Sequence, residues 1–101
     1  EAMSPGVQRQ IERLLDANDV MADKMDATGV DLWSEMISNH ADVLQLKMRE
    51  MYRIGWPVEE INLWCVERSR KAGETMRGEQ YSRMGYISLK AMERFKAWHE
   101  A

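Results

Sequence analysis

Any chemistry in this chain rests on few side chains: His40, His99, Cys65, and the carboxylates and cations that recur along its length. A metal site on helices takes His, Cys or carboxylate ligands three or four residues apart, because that spacing puts them on one face. His40 has Met36, Ile37, Val43 and Leu44 at those steps, and His99 has Phe95 and Lys96. No Glu precedes either histidine by three, so the pattern of carboxylate-bridged di-metal bundles is missing. His40 therefore reads as a hydrogen-bonded, half-buried histidine, with Asn18 as its candidate partner in a polar layer, and His99 as a solvated one. Cys65 reads as a small buried hydrophobe rather than a nucleophile, since no base can be assigned to it. The sequence has no Gly-rich phosphate loop, nucleophile elbow or Cys-x-x-Cys motif. The expectation is a protein that is not an enzyme and uses neither cofactor nor metal.

Charge is more informative. Residues 1–67 carry six Lys/Arg against thirteen Asp/Glu, and residues 68–101 carry eight against four, so halves of −7 and +4 make up the net charge of −3. Within the acidic half, Glu12, Asp16, Asp19, Asp23 and Asp26 recur at steps of four and three, which on a continuous helix makes one acidic stripe. Like charges so placed destabilise a helix by roughly 0.2–0.5 kcal/mol per pair. Asp23 and Asp26 also lie toward the negative end of the helix dipole. The stripe is either a solvated face that favours solubility or a docking surface for a basic protein partner, its carboxylates imitating a phosphate backbone.

The basic half offers Arg68, Arg70, Lys71, Arg77 and Arg83, with Tyr81 and Tyr86 interleaved. Such a set suits nucleic acid, because cations neutralise phosphates and aromatic rings stack on bases. The segment between Gly73 and Gly78 is too long and charged for a tight helix-turn-helix, and the chain is acidic overall, unlike most nucleic-acid binders. The other reading is that these cations pair with the acidic half, within one molecule or between two.

These side chains need helices to position them. Ser4-Pro5 is a helix start, with Ser as N-cap and Pro at the first helical position. Val7, Ile11, Leu14, Asn18, Met21 and Met25 then form a heptad-like seam that Gly29 ends. Asn18 either breaks this helix, with Asn18 or Asp19 capping a second one, or is a polar seam residue that fixes register. The second helix, Asp31 to Ile54, is the one the others must cover. Trp33, Met36, Ile37, His40, Val43, Leu44, Met48, Met51 and Tyr52 share its apolar face. Asp31 is its expected N-cap, with a Thr28–Asp31 capping box as the alternative, and Gly55-Trp56-Pro57 stops it.

A third helix is expected from Pro57 to Ala72, ending at Gly73. Val58, Ile61, Trp64, Cys65 and Ala72 face inward, and Leu63 and Val66 lie off that face, which suggests burial on two sides. After a less structured stretch with room for an extra turn near 74–79, a fourth helix runs from Glu79 to His99. Its stripe is Met84, Ile87, Ala91, Met92, Phe95 and Trp98. Gly85 inside it either weakens it or lets another helix approach. Trp33, Trp64 and Trp98 are expected in the core. Trp56 is expected to staple two helices at their junction rather than to stand out as an interface anchor.

Proline occurs only at positions 5 and 57, and no segment alternates apolar and polar residues, so no strand is expected. With 101 residues, the prediction is one helical domain over 1–101: all-α, a compact bundle of about four helices with short connections and antiparallel neighbours. Two long apolar stripes in so small a chain make a homodimer an open expectation. A single cysteine excludes an internal disulfide. No apolar run is signal-like or long enough to span a membrane, which points to the cytoplasm. Nine methionines make the apolar surface soft. Glu1-Ala2, ahead of Met3, reads as a cloning scar.

Two functions follow from these features. The first is a non-enzymatic protein-interaction module, a small regulator, adaptor or inhibitor that binds a protein partner through the acidic stripe. The alternative is a nucleic-acid-binding regulator that uses the basic C-terminal half.

Overall fold

A computed structural model describes residues 3–101; the expected cloning scar, Glu1-Ala2, lies outside the described residues. Four helices follow in order: α1 Pro5–Thr28, α2 Trp33–Arg53, α3 Val58–Gly73 and α4 Glu79–Glu100. There is no strand among the described residues, and the fold is a small all-α bundle.

Local chemistry explains the ends. Pro5 opens α1, but the Ser4 side chain makes no capping bond. Instead the Ser4 backbone N–H donates to Glu50 Oε1 at 2.7 Å, tying the start of α1 to the end of α2. At the other end Gly29 takes φ 72°, the left-handed conformation that favours glycine, and its N–H donates to the Met25 carbonyl. Helix α1 is continuous through Asn18. Helix α2 begins at Trp33 rather than Asp31. Asp31 still serves it, because its Oδ1 accepts from the Trp33 N–H at 3.1 Å. Thr28 instead donates to the Lys24 carbonyl and accepts from the Val30 N–H, so the alternative capping box does not form. Gly73 is the last residue of α3 and is buried. A Cβ there would sit 3.1 Å from Cε2 of Tyr81, so its use is close approach of a ring rather than a left-handed cap. The segment that follows is a hydrogen-bonded turn, Met76 N–H to Gly73 O, and not a further helix.

Helix α2 packs against the other three, whereas α1 packs against α2 alone. Consecutive helices are antiparallel. Helix α2 meets α4 with Trp33 beside Arg83 at one end and Tyr52 beside Trp98 and His99 at the other, so these two run parallel.

Two cores result. The larger joins Ala41, Leu44 and Met48 of α2 to Ile61 and Cys65 of α3 and to Ile87, Ala91 and Phe95 of α4. The smaller sets Val43 and Leu46 of α2 against Ile11 of α1, flanked by Met3, Val7 and Leu14. Burial on two sides therefore belongs to α2, not to α3. Leu63 and Val66 are 60% and 45% exposed, because no element packs against the outer face of α3.

Trp33 and Trp98 depart from expectation, whereas Trp64 packs against the larger core. Trp33 and Trp64 are half-buried, and Trp98 and Trp56 are exposed. The fully buried bulk is Phe95, Met48, Ile61 and Cys65. In a bundle this thin, an indole reaches the rim from most positions on a helix. Nor does Gly85 admit a neighbour, since nothing lies within 4 Å of where its Cβ would be.

Candidate functional site

The acidic stripe survives intact in three dimensions. Glu12, Asp16, Asp19, Asp23 and Asp26 are all exposed, along about 21 Å of one unbroken helix. Among the described residues none of the five is in a salt bridge. The last turn of α1 carries no basic residue to offset Asp23 and Asp26. What holds α1 in register lies on its other side. Asn18 is 3% exposed, and its Nδ2 donates to the Met36 carbonyl at 3.1 Å while its Oδ1 accepts from Asn39 Nδ2 at 3.0 Å. Asn18 is thus the polar seam residue, and its partner is Asn39 rather than His40.

The five basic residues do not all converge on one surface. Arg68 and Arg70 are two apart on α3 and so point to nearly opposite sides. Arg70 is held by its own helix and turn, with Glu67 at 3.0 Å and Glu74 at 2.6 Å, and Glu67 is the main reason its pKa is raised. Arg83 pairs with Glu79 at 3.0 Å and lies over the Trp33 ring, 3.9 Å from its centroid. Arg77 bonds the carbonyl of Met76 in the turn. Arg68 and Lys71 share a shallow hollow with Lys47 and Trp64. The cations do not neutralise the acidic stripe within the molecule, since α1 touches neither α3 nor α4. Among the described residues the ion pair between helices is Arg94 with Asp42, at 2.7 Å, and Arg94 also bonds the Ser38 carbonyl and hydroxyl.

A cleft of about 360 Å³ lies between α1, α2, the end of α3 and the start of α4. Leu15, Trp33, Met36, Ile37, Met84 and Ile87 supply much of its apolar wall, and His40, Lys47, Arg68, Gln80 and Arg83 its polar groups. Of its cations, Arg68 and Arg83 belong to the basic set expected from the sequence, and Lys47 does not. The available signal was a lysine inside the α2 stripe, four residues after Val43 and three after Leu44. His40 lines this cleft and has no hydrogen bond among the described residues, against expectation. Burial lowers its pKa, Arg68 lowers it further, and Asp19 of the stripe opposes them. Burial and Arg68 likewise lower Lys47. Further along α2, the Ser4 backbone N–H, and then Arg53, hold the Glu50 carboxyl below its usual range.

Cys65 is buried in the larger core with its Sγ 3.7 Å from the Ser88 carbonyl, and burial pushes its thiol up to about 11. At pH 8 about one such thiol in a thousand is the reactive thiolate. Native protein should therefore leave a disulfide reagent unreacted, and urea-unfolded protein should consume one equivalent. Rapid labelling of the folded protein would remove Cys65 from the core.

His99 is exposed, yet its ring sits edge-on to Tyr52 with centroids 4.7 Å apart, so it is packed and not merely solvated. Among the described residues no three His, Cys, Asp or Glu side chains are placed to hold a metal ion, and no helix is long and apolar enough to cross a membrane. No protein-family model, curated protein or solved structure matches this chain.

Proposed function

We propose that this chain is a small cytoplasmic protein-interaction module, a regulator, adaptor or inhibitor, that docks a basic protein partner on the acidic face of α1. The observation that supports the reading is a row of five exposed carboxylates on one rigid helix, none of them paired among the described residues. Successive members repel at roughly 0.2–0.5 kcal/mol per pair. A face kept for solubility alone has no need to concentrate one sign of charge in a line. A partner whose own surface takes phosphate is the natural complement, since the stripe offers regularly spaced negative charge on a rod.

The nucleic-acid reading is weaker, because Arg70, Arg77 and Arg83 are engaged locally and the five basic residues do not all share one face. Helix α2 covers the α1 seam, so that stripe is not free for a homodimer.

The test is charge reversal of Asp16, Asp19 and Asp23 to Lys, with circular dichroism to verify that the variant is folded. Immobilised wild-type protein should retain a basic partner that the variant does not, and added duplex DNA should release it. Equal retention by the triple variant would reduce the stripe to a solvated face. Salt-sensitive binding of DNA by the wild-type protein itself would favour the basic half instead.

A further inference from the structure

The cleft beside α2 differs from an ordinary packing gap in what surrounds it. Its walls are apolar and adaptable, with Met36, Met76 and Met84 among them, and no carboxylate lines it. Its charged groups are cations. Arg83 is already occupied by Glu79 and by the Trp33 ring. Arg68 and Lys47 are not: neither has a salt bridge among the described residues. They lie close enough that Arg68 disfavours the charge on Lys47, and the nearby Glu67 is taken by Arg70. Two uncompensated cations beside an apolar wall are the complement of an amphipathic anion.

We propose that this cleft binds a small medium-chain carboxylate, with its alkyl chain among the methionines and its head group on Arg68 and Lys47. The volume of about 360 Å³ lies within the roughly 300–1,000 Å³ common for small-molecule sites. Beside the branched Leu15, Ile37, Val43, Leu44 and Ile87, the three unbranched thioether side chains let part of the wall follow a flexible chain. Lys47 and Arg68 line the cleft without an ion pair among the described residues, whereas Arg83 is paired, so the head group belongs on Lys47 and Arg68. The site is independent of partner docking on the acidic stripe, and either can fail without the other.

The experiment titrates protein carrying 13C-methyl methionine with octanoate and, separately, with octan-1-ol. Octanoate should shift the methyls of Met36, Met76 and Met84 saturably and leave that of Met92, which lines a separate hollow beside His99. Octanol keeps the chain and loses the charge, so it should bind about 10-fold or more weakly, the scale of a lost hydrogen bond to a charged group. A Lys47→Gln/Arg68→Gln double variant should weaken octanoate by a similar factor. Should that variant not fold, the comparison of acid with alcohol on the unaltered protein still decides. The proposal is overturned if octanoate gives no saturable shift, if all methionine methyls move together, or if acid and alcohol bind alike.

Discussion

Phe95→Ala should cost the domain about 3–5 kcal/mol, the usual range for emptying a buried aromatic site. Phe95 is 1% exposed and lies in the core where α2, α3 and α4 meet, with the Tyr52 ring edge-on at 6.4 Å. None of the three helices can close the gap without losing its contacts to the other two. A domain of this size has only about 5–15 kcal/mol of stability in total, so the urea midpoint should fall steeply. Leu63→Ala is the control: Leu63 is 60% exposed on the outer face of α3, and its truncation should change stability by no more than about 0.5 kcal/mol. Comparable losses for the two variants would mean that the core is not organised around Phe95.

Asn18→Asp should cost about 3–5 kcal/mol at neutral pH, the scale of an uncompensated buried charge. The new carboxylate could still accept from Asn39 Nδ2, but its other oxygen would face the Met36 carbonyl where an amide N–H now donates. Burial raises the pKa of such an acid. An acid whose folded pKa lies above its unfolded value destabilises the fold above that folded pKa. The deficit shrinks as pH falls through it and is gone below the unfolded value of about 3.9. The protonated acid can donate to Met36 as asparagine does.

Because α1 packs against α2 alone, the damage should be local. Amide exchange along α1 should accelerate while α3 and α4 stay protected. Urea titrations at about pH 7 and about pH 5 give the second reading, with a smaller deficit expected at the lower pH. A deficit that ignores pH, or exchange that accelerates equally in all four helices, would contradict the polar clamp at Asn18.

The carboxylate stripe was legible from spacing alone, since steps of four and three residues share a helix face whatever the tertiary structure. The basic set was not, although its spacing held the warning: Arg68 and Arg70 are two apart and cannot share a face. The cleft was less visible still. Leu15, Lys47, Arg68 and Arg83 come from four different helices, and no local pattern links them.

By itself the sequence determined the four helices and the turns between them. Apolar residues at 3.6-residue spacing, Pro5 and Pro57 near helix starts, and glycines at or near helix ends act over a few residues, and their meaning does not depend on what lies across the core. Only the tertiary structure decided which helix is buried twice, which residue meets Asn18, and which cations remain unpaired beside the cleft. Those depend on how helices far apart in the chain are juxtaposed. Periodicity says which face of a helix is apolar, but not which neighbour covers it or where the covering stops short.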